Sequence, residues 1–397
     1  MARDFLDRAA PPHIVTLAIA TAVSSLATSI FLPSLPGIAR YFDTDYALAQ
    51  LTISLYLAAN AVLQLGIGPA SDRYGRRPVM LACLGIFIAG TLLAIAATSI
   101  EMLLAARVLQ SFSAAGMVLA RAIVRDTVSA DEAAGRIGYI TMGMALVPMA
   151  APLIGGLLDE SYGWHASFVL MLVFGLIAFA LVFFDLGETN RNASASLAVQ
   201  FRAYPGLFGS SRFWGYTLTS AFGMATFFSL VGAGPFVATE LLGLRPAEYG
   251  LYFSLISLGY MTGNFLSGRY SRRIGINAMM AGGNCVAAGG IVLAMALFAF
   301  GDGNALSLFG PMAMVGIGNG MTLPNANAGV VSVRPELAGS ASGLAGTLQL
   351  GISAMVSALA GIVVTPQTGV TALLYLMLAC AFAAVLAQAF IVYGGRG

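Results

Sequence analysis

The segment Gly68-Pro-Ala-Ser-Asp-Arg-Tyr-Gly-Arg-Arg77 sits between two long apolar runs and decides how the whole chain is read. Gly68 and Gly75 permit close backbone approach and a sharp turn. Asp72 closes the run before it, and Arg73, Arg76 and Arg77 gather positive charge on one short connection. Membrane proteins keep such Arg-rich turns on the cytoplasmic side. An ordered acid flanked by glycines is more than that retention requires, so both a topological and a mechanistic reading follow.

Outward from this loop, composition points the same way. The 397 residues are 58% hydrophobic and 9% charged, against roughly 25% charged in soluble domains. A soluble globule of this make-up would expose more apolar surface than water tolerates. All 19 basic residues are Arg, and the net charge of +2 gives no reason to expect a nucleic-acid partner. Cys83, Cys285 and Cys380 each lie in an apolar run without metal-ligand spacing and read as core thiols. The mixed-charge start, Met-Ala-Arg-Asp, leads into an apolar run with no cleavage signal, so the first helix is expected to remain.

A helix needs about 20 apolar residues to cross the hydrocarbon core. Spans are expected near 13–33, 46–70, 78–99, 101–124, 135–158, 164–184, 213–238, 248–268, 276–300, 304–330, 337–363 and 369–393. The charge-free run over 337–395 is too long for one crossing and must turn near Thr365-Pro-Gln-Thr-Gly369. With the termini in the cytoplasm, sixteen arginines fall on that side, including Arg3, Arg191, Arg202 and Arg396. Arg40 and Arg245 fall outside, and Arg107 falls within a span. The fold class is an all-α membrane protein of twelve helices in two six-helix halves, 1–185 and 213–397, joined by a polar cytoplasmic linker over 186–212. Gly268-Arg-Tyr-Ser-Arg-Arg273 after the eighth span echoes the basic loop, so the halves read as repeats. Alternating-access transporters are built this way, with the substrate between the halves.

Arg107 is the one charge well inside a span. A charge there costs about 2.5–3.5 kcal/mol on insertion scales and faces a cavity or partner, or else snorkels to the nearer interface, where Glu101 opens the same helix. In the fifth span Gly143, Ala151 and Gly155 share a face suited to close packing, while Pro148 and Pro152 bend the helix. Uncharged polar side chains within spans, Ser29, Asn60, Gln64, Asn325 and Gln349 among them, and the aromatics Tyr56, Phe227, Phe228 and Tyr260 are candidates for a substrate cavity. Amides in membrane helices also serve as interhelical glue.

Gly68-x3-Asp72-Arg73-x-Gly75-Arg76-Arg77 resembles the signature loop of the major facilitator superfamily. Across the whole chain the resemblance is to the Bcr/CflA-type drug-resistance transporters of the twelve-helix drug:proton antiporter family. It is carried further by Leu103-x3-Arg107-x2-Gln110, by Pro148-x2-Ala151-Pro152-x2-Gly155-Gly156, and by Pro324-Asn-Ala326 with Ala338-Gly-Ser-Ala-Ser342. The resemblance implies that Asp72 caps a facing helix such as the eleventh when the cytoplasmic side is shut. Arg73 would then pair with Asp126, Arg107 would serve coupling, and Gly143, Pro148, Pro152, Gly155 and Gly156 would form the exporter's fifth helix. It also implies a bacterial inner-membrane location.

One departure matters. Where that family carries an acid in the first helix, before a Met-Tyr-Leu-Pro-like segment, this chain has Ser29-Ile-Phe-Leu-Pro33. Asp185, Glu240, Glu248 and Glu336 lie near helix ends, Asp126 and Asp131 in cytoplasmic territory, and none at the midplane. Proton antiport needs a group whose pKa moves with access, and Ser29 cannot supply it. The expected function is efflux of small amphiphilic organic compounds by alternating access, with the proton as coupling ion and no other cofactor. The alternative is an uncoupled or weakly coupled exporter of one native metabolite. With only His13 and His165, neither near an acidic or Cys cluster, a catalytic or metal site is not expected. A monomer in the lipid bilayer is.

Overall fold

In the computed structural model, residues 8, 10–128, 130–190, 207–301, 303–334 and 337–393 are described. Arg3, Arg191, Arg202, Glu336, Arg396 and most of the expected linker lie outside them, as do the side chain of Asp131 and the surroundings of Gly143. Twelve long helices are present among the described residues. They are α1 (Ile14–Tyr41), α2 (Tyr46–Tyr74), α3 (Arg76–Ile95), α4 (Ile100–Thr127), α5 (Ala130–Tyr162) and α6 (His165–Asp185). Then follow α7 (Ser211–Leu241), α8 (Pro246–Ile274), α9 (Ile276–Phe300), α10 (Ala305–Val333), α11 (Ala338–Val363) and α12 (Gly369–Tyr393). Ten are long and apolar enough to cross a membrane by length and composition, α5 and α8 being the others.

The helix ends follow local chemistry. Ser99 accepts from the Met102 amide and starts α4, Ser210 accepts from Phe213 and starts α7, and Asn304 accepts from Ser307 and starts α10. Gly75 ends α2 at φ 98°, a backbone state that favours glycine. The largest difference from the sequence reading is in α1. It runs eight residues beyond the expected end at 33, through a 3₁₀ turn over Leu32–Ser34 and on to Tyr41. Pro33 and Pro36 sit at first-turn positions, where a missing N–H costs nothing.

Within the first six helices α1 packs on α5 and α6, and α3 on α4 and α6; within the last six α7 packs on α11 and α12, and α10 on α8 and α9. The two groups meet through α5 on α8 and α2 on α11. Leu92, Leu176, Phe265, Phe382 and Phe390 point outward, as side chains facing lipid would. Cys83 and Cys380 are buried as expected, but Cys285 is exposed, because its position on α9 faces outward rather than toward α10.

The end of the bundle bearing the Gly68–Arg77 loop is called proximal here, and the other end distal. Most hydrogen bonds between the two groups, among the described residues, lie toward the distal end. Tyr46 donates to the Gly232 carbonyl (2.7 Å), Gln50 to Ser357 (2.8 Å), and the Ala247 amide to Glu160 (3.0 Å). Arg40 pairs with Glu240. The most proximal of these bonds are Thr347 to the Ala61 carbonyl (3.2 Å) and Ser257 to the Pro148 carbonyl (3.3 Å). At 1.5 Å per residue, Ala61 lies about 20 Å from the proximal end of α2.

Candidate functional site

Arg107 stands two turns into α4 and is fully buried. Its Nε donates to the Thr52 carbonyl on α2 (2.9 Å), Nη2 to the Ala27 carbonyl on α1 (2.9 Å), and Nη1 to Gln110 Oε1 (2.6 Å). The rings of Phe31 and Tyr56 cover the two faces of the guanidinium at 4.3 and 4.5 Å. The break in α1 makes this possible. The last carbonyls of a helical segment lack partners of their own, and Ala27 lies two residues before the end of the straight part at Ser29. Among the described residues no carboxylate touches Arg107, and the fully buried side chain does not snorkel. The network extends from Gln110 to Thr91 (2.9 Å) and from Tyr56 to Ser24 (3.0 Å) and Ser113 (2.9 Å). Tyr56, expected as a cavity wall, is instead a buried part of this cage.

The basic loop is organised around a different arginine from the one expected. Arg76 pairs with Asp126 through Nε (2.9 Å) and with Asp72 through Nη1 (2.5 Å), and Nη1 also reaches Ser71 Oγ (2.6 Å). Arg73 lies over the ring of Tyr74 (5.4 Å) and is exposed. The reason is the turn between α2 and α3. Gly75 at φ 98° ends α2 and turns the chain, so Arg76 opens α3 and from its first turn meets both Asp72 and the end of α4. Asp72 makes no described contact with α11, as befits a bundle clasped at its distal end.

Two residues that the sequence reading passed over secure this loop. Glu188 accepts from the amides of Arg76 (2.9 Å) and Arg77 (3.3 Å), orphan donors at the start of α3. Asn190 donates to the Asp72 carbonyl (2.7 Å) at the end of α2. Their signal was an acid and an amide directly after α6, inside what read as plain linker. Arg76→Ala removes contacts of an 11% exposed side chain and is expected to lower stability by about 1–3 kcal/mol. Arg73→Ala is expected to stay within about 0.5 kcal/mol. Thermal unfolding in detergent separates the two, and equal losses would return the pairing to Arg73.

The remaining candidates divide. Asn325 donates to Ser267 on α8 (2.8 Å) and Gln349 to Ser220 on α7 (2.7 Å) and Asn327 on α10 (2.9 Å), so both act as glue between helices. Gln64 donates to Asn60 (2.9 Å) on α2, where it faces Gly346 of α11. Phe227 packs edge-on to Phe228 (5.4 Å) and tilted on Phe253 (5.8 Å). Tyr260 is half-buried beside Gly316 and Gly320 of α10, and Ser29 is buried between Ala27 and Phe31, which both touch Arg107. On α5, Pro152 offers no N–H to the Pro148 carbonyl, and Ser257 of α8 takes that place. A Cβ at Gly155 would fall 2.8 Å from the Ile30 carbonyl carbon, and one at Gly156 would fall 2.6 Å from that of Pro246.

Residues 17–358 match the family model described as Major Facilitator Superfamily. The chain is 31% identical to the multidrug resistance protein D of Escherichia coli over 90% of its own length and 89% of the relative's. It is 29% identical to a bicyclomycin resistance protein homolog of Haemophilus influenzae, covering 95% of each. Among solved structures, a bacterial homolog of the human lysosomal transporter Spinster, inward-facing and occupied, superposes with a TM-score of 0.74 at 16% identity over 96% of both chains.

Proposed function

The chain belongs to the major facilitator superfamily, and from that premise we propose that it exports drugs or other small amphiphilic organic compounds by alternating access. It is a multi-pass membrane transporter and not an enzyme. The observation that carries the reading is the clasp. Two six-helix groups meet through α2 on α11 and α5 on α8, with most of their joining hydrogen bonds gathered toward one end. Relatives matched along nearly their whole length are named for multidrug and bicyclomycin resistance, which favours export of organic molecules. In this reading the proximal end is cytoplasmic, as the arginines favour, the membrane is the bacterial inner membrane, and the protein works as a monomer.

The proton is the proposed coupling ion. Among the described residues every Asp and Glu lies in a loop or within a turn or so of a helix end, so the protonated group belongs at an end of the bundle rather than at its middle. The same placement, with Ser29 buried and uncharged, favours a second reading, an uncoupled exporter of one metabolite. Cells expressing the protein should accumulate less of a transported compound from a chemically diverse panel while energised and should lose that difference when the proton gradient is collapsed. In proteoliposomes, an identical rate and final level with and without a pH gradient would establish the second reading. No transport of any compound would sink both.

A further inference from the structure

The proximal gate loop has a twin at the distal end. Helix α2 closes with Asp72-Arg-Tyr-Gly75 and α5 closes with Glu160-Ser-Tyr-Gly163. In each the acid stands two residues before the helix end, a Tyr is last, and a glycine at positive φ follows, 98° at Gly75 and 77° at Gly163. The two ends point in opposite directions through the bundle. That relation is expected of a fold whose six-helix halves each contain inverted three-helix repeats. Under that inversion α2 corresponds to α5, and α11 corresponds to α8.

The two acids differ in what they hold. Glu160 Oε1 accepts from the Ala247 amide (3.0 Å). Ala247 follows Pro246 in the first turn of the 29-residue α8, where amides have no helical acceptor and the helix dipole favours an anion. This bond joins the first six helices to the last six. Around it α5 and α8 touch backbone to backbone: a Cβ at Gly156 would fall 2.7 Å from Ala247 Cα, and one at Gly250 would fall 2.6 Å from Leu153 Cα. The Arg40–Glu240 pair closes the same end beside a cleft of about 230 Å³ lined by Arg40, Asp43, Tyr46, Phe236 and Glu240. Asp72, by contrast, is held within its own half by Arg76.

We propose that Glu160 is the latch of the distal gate, binding the N-terminus of α8 while Asp72 is disengaged from α11, and that opening the distal side exchanges the first contact for the second. The proposal deepens the alternating-access reading and rests on it. Glu160 caps a helix of the opposite half in this state, and Asp72 takes up the equivalent cap on α11 in the other, so the two stabilise opposite states. A fixed brace would need neither a counterpart nor a cap that crosses between the halves.

The test reads conformation, not transport, so it stands whatever the substrate is. In a cysteine-free background, spin labels at the exposed positions Ala96 and Gln367 report the distal separation, and labels at Arg125 and Ala278 report the proximal one. Glu160→Ala is expected to raise the distally open population about five- to tenfold, as loss of a charged acceptor at a helix N-terminus allows. Asp72→Asn is expected to shift the distances the other way, and the double variant to fall between. Unchanged distances in Glu160→Ala, with only a lower melting temperature, would overturn the latch and leave a static cap. Should that variant not accumulate, Glu160→Ser, whose side chain is too short to reach the Ala247 amide, takes its place, and unchanged distances there overturn the proposal equally. Opposite shifts in a protein that moves no tested compound support the latch and count only against the efflux reading.

Discussion

Arg107→Ala is expected to lose transport by well over tenfold, each tenfold corresponding to about 1.4 kcal/mol in the barrier, and Arg107→Lys is expected not to restore it. The guanidinium joins α1, α2 and α4 at the broken turn of α1, through the carbonyls of Ala27 and Thr52 and the side-chain amide of Gln110. Removing it strips those acceptors of a charged donor, each worth about 1–3 kcal/mol when buried and unmet. It also empties the slot between Phe31 and Tyr56. Lysine retains the charge but presents a point where three fixed N–H directions are needed, and it does not stack between rings. Uptake by proteoliposomes together with thermal unfolding tests this. Wild-type transport by Arg107→Lys would show that the charge suffices and the fork geometry does not matter; wild-type transport by Arg107→Ala would make the cage purely structural.

The cage also explains how a buried cation survives here without a carboxylate. Two carbonyl oxygens, one of them at the C-terminal end of a helical segment and so at the negative pole of its dipole, and two π faces together supply the compensation that an acid would otherwise give. Ser29 lies between the two residues of α1 that provide half of it, Ala27 and Phe31. The departure at Ser29 thus does not leave Arg107 bare; it leaves it held by carbonyls, an amide and two rings, with no carboxylate beside it among the described residues. That is why the carboxylates at the bundle's ends, Asp72 and Asp126 proximally and Glu160 and Glu240 distally, carry the burden of any proton coupling in the reading proposed above.

How much of this was legible depends on what kind of physics set each feature. Helix positions were readable to within a few residues for α9, α10, α11 and α12, because hydrocarbon thickness and apolar run length determine them. The extension of α1 past Pro33 was not, since a proline reads as a stop unless it falls in a first turn. Nor was the exchange of Arg73 for Arg76 beside Asp126: the two lie three residues apart, and only the turn at Gly75 decides which one faces α4. Asn325 and Gln349 could not be told from cavity residues by type, because an amide bonds a neighbouring helix or a ligand with the same groups. Glu160 escaped notice because a carboxylate next to a turn looks solvated until the facing helix is placed.

Gly155→Ala should be among the most damaging single-methyl changes in the molecule, while Gly85→Ala should be harmless. A Cβ at Gly155 would lie 2.8 Å from the Ile30 carbonyl carbon, closer still to its oxygen, and 3.3 Å from the Ile30 side chain. The first obstacle is backbone, so no rotamer change relieves it, and α5 must move away from α1. Overpacking of this kind costs about 1–3 kcal/mol and sometimes more. The displacement falls on Ile30, one residue before Phe31 and three after Ala27, so the arginine cage opens and transport should fall with stability. At Gly85 nothing lies within 4 Å of the added carbon. Alanine there should be neutral or stabilise α3 by up to about 1 kcal/mol through its higher helix propensity. Melting temperatures and initial transport rates of the two purified variants, measured side by side, check the contrast. If Gly155→Ala unfolds at the wild-type temperature yet fails to transport, the contact between α5 and the break in α1 serves motion rather than stability, and equal, undiminished behaviour of both variants would mean that the close approach carries neither.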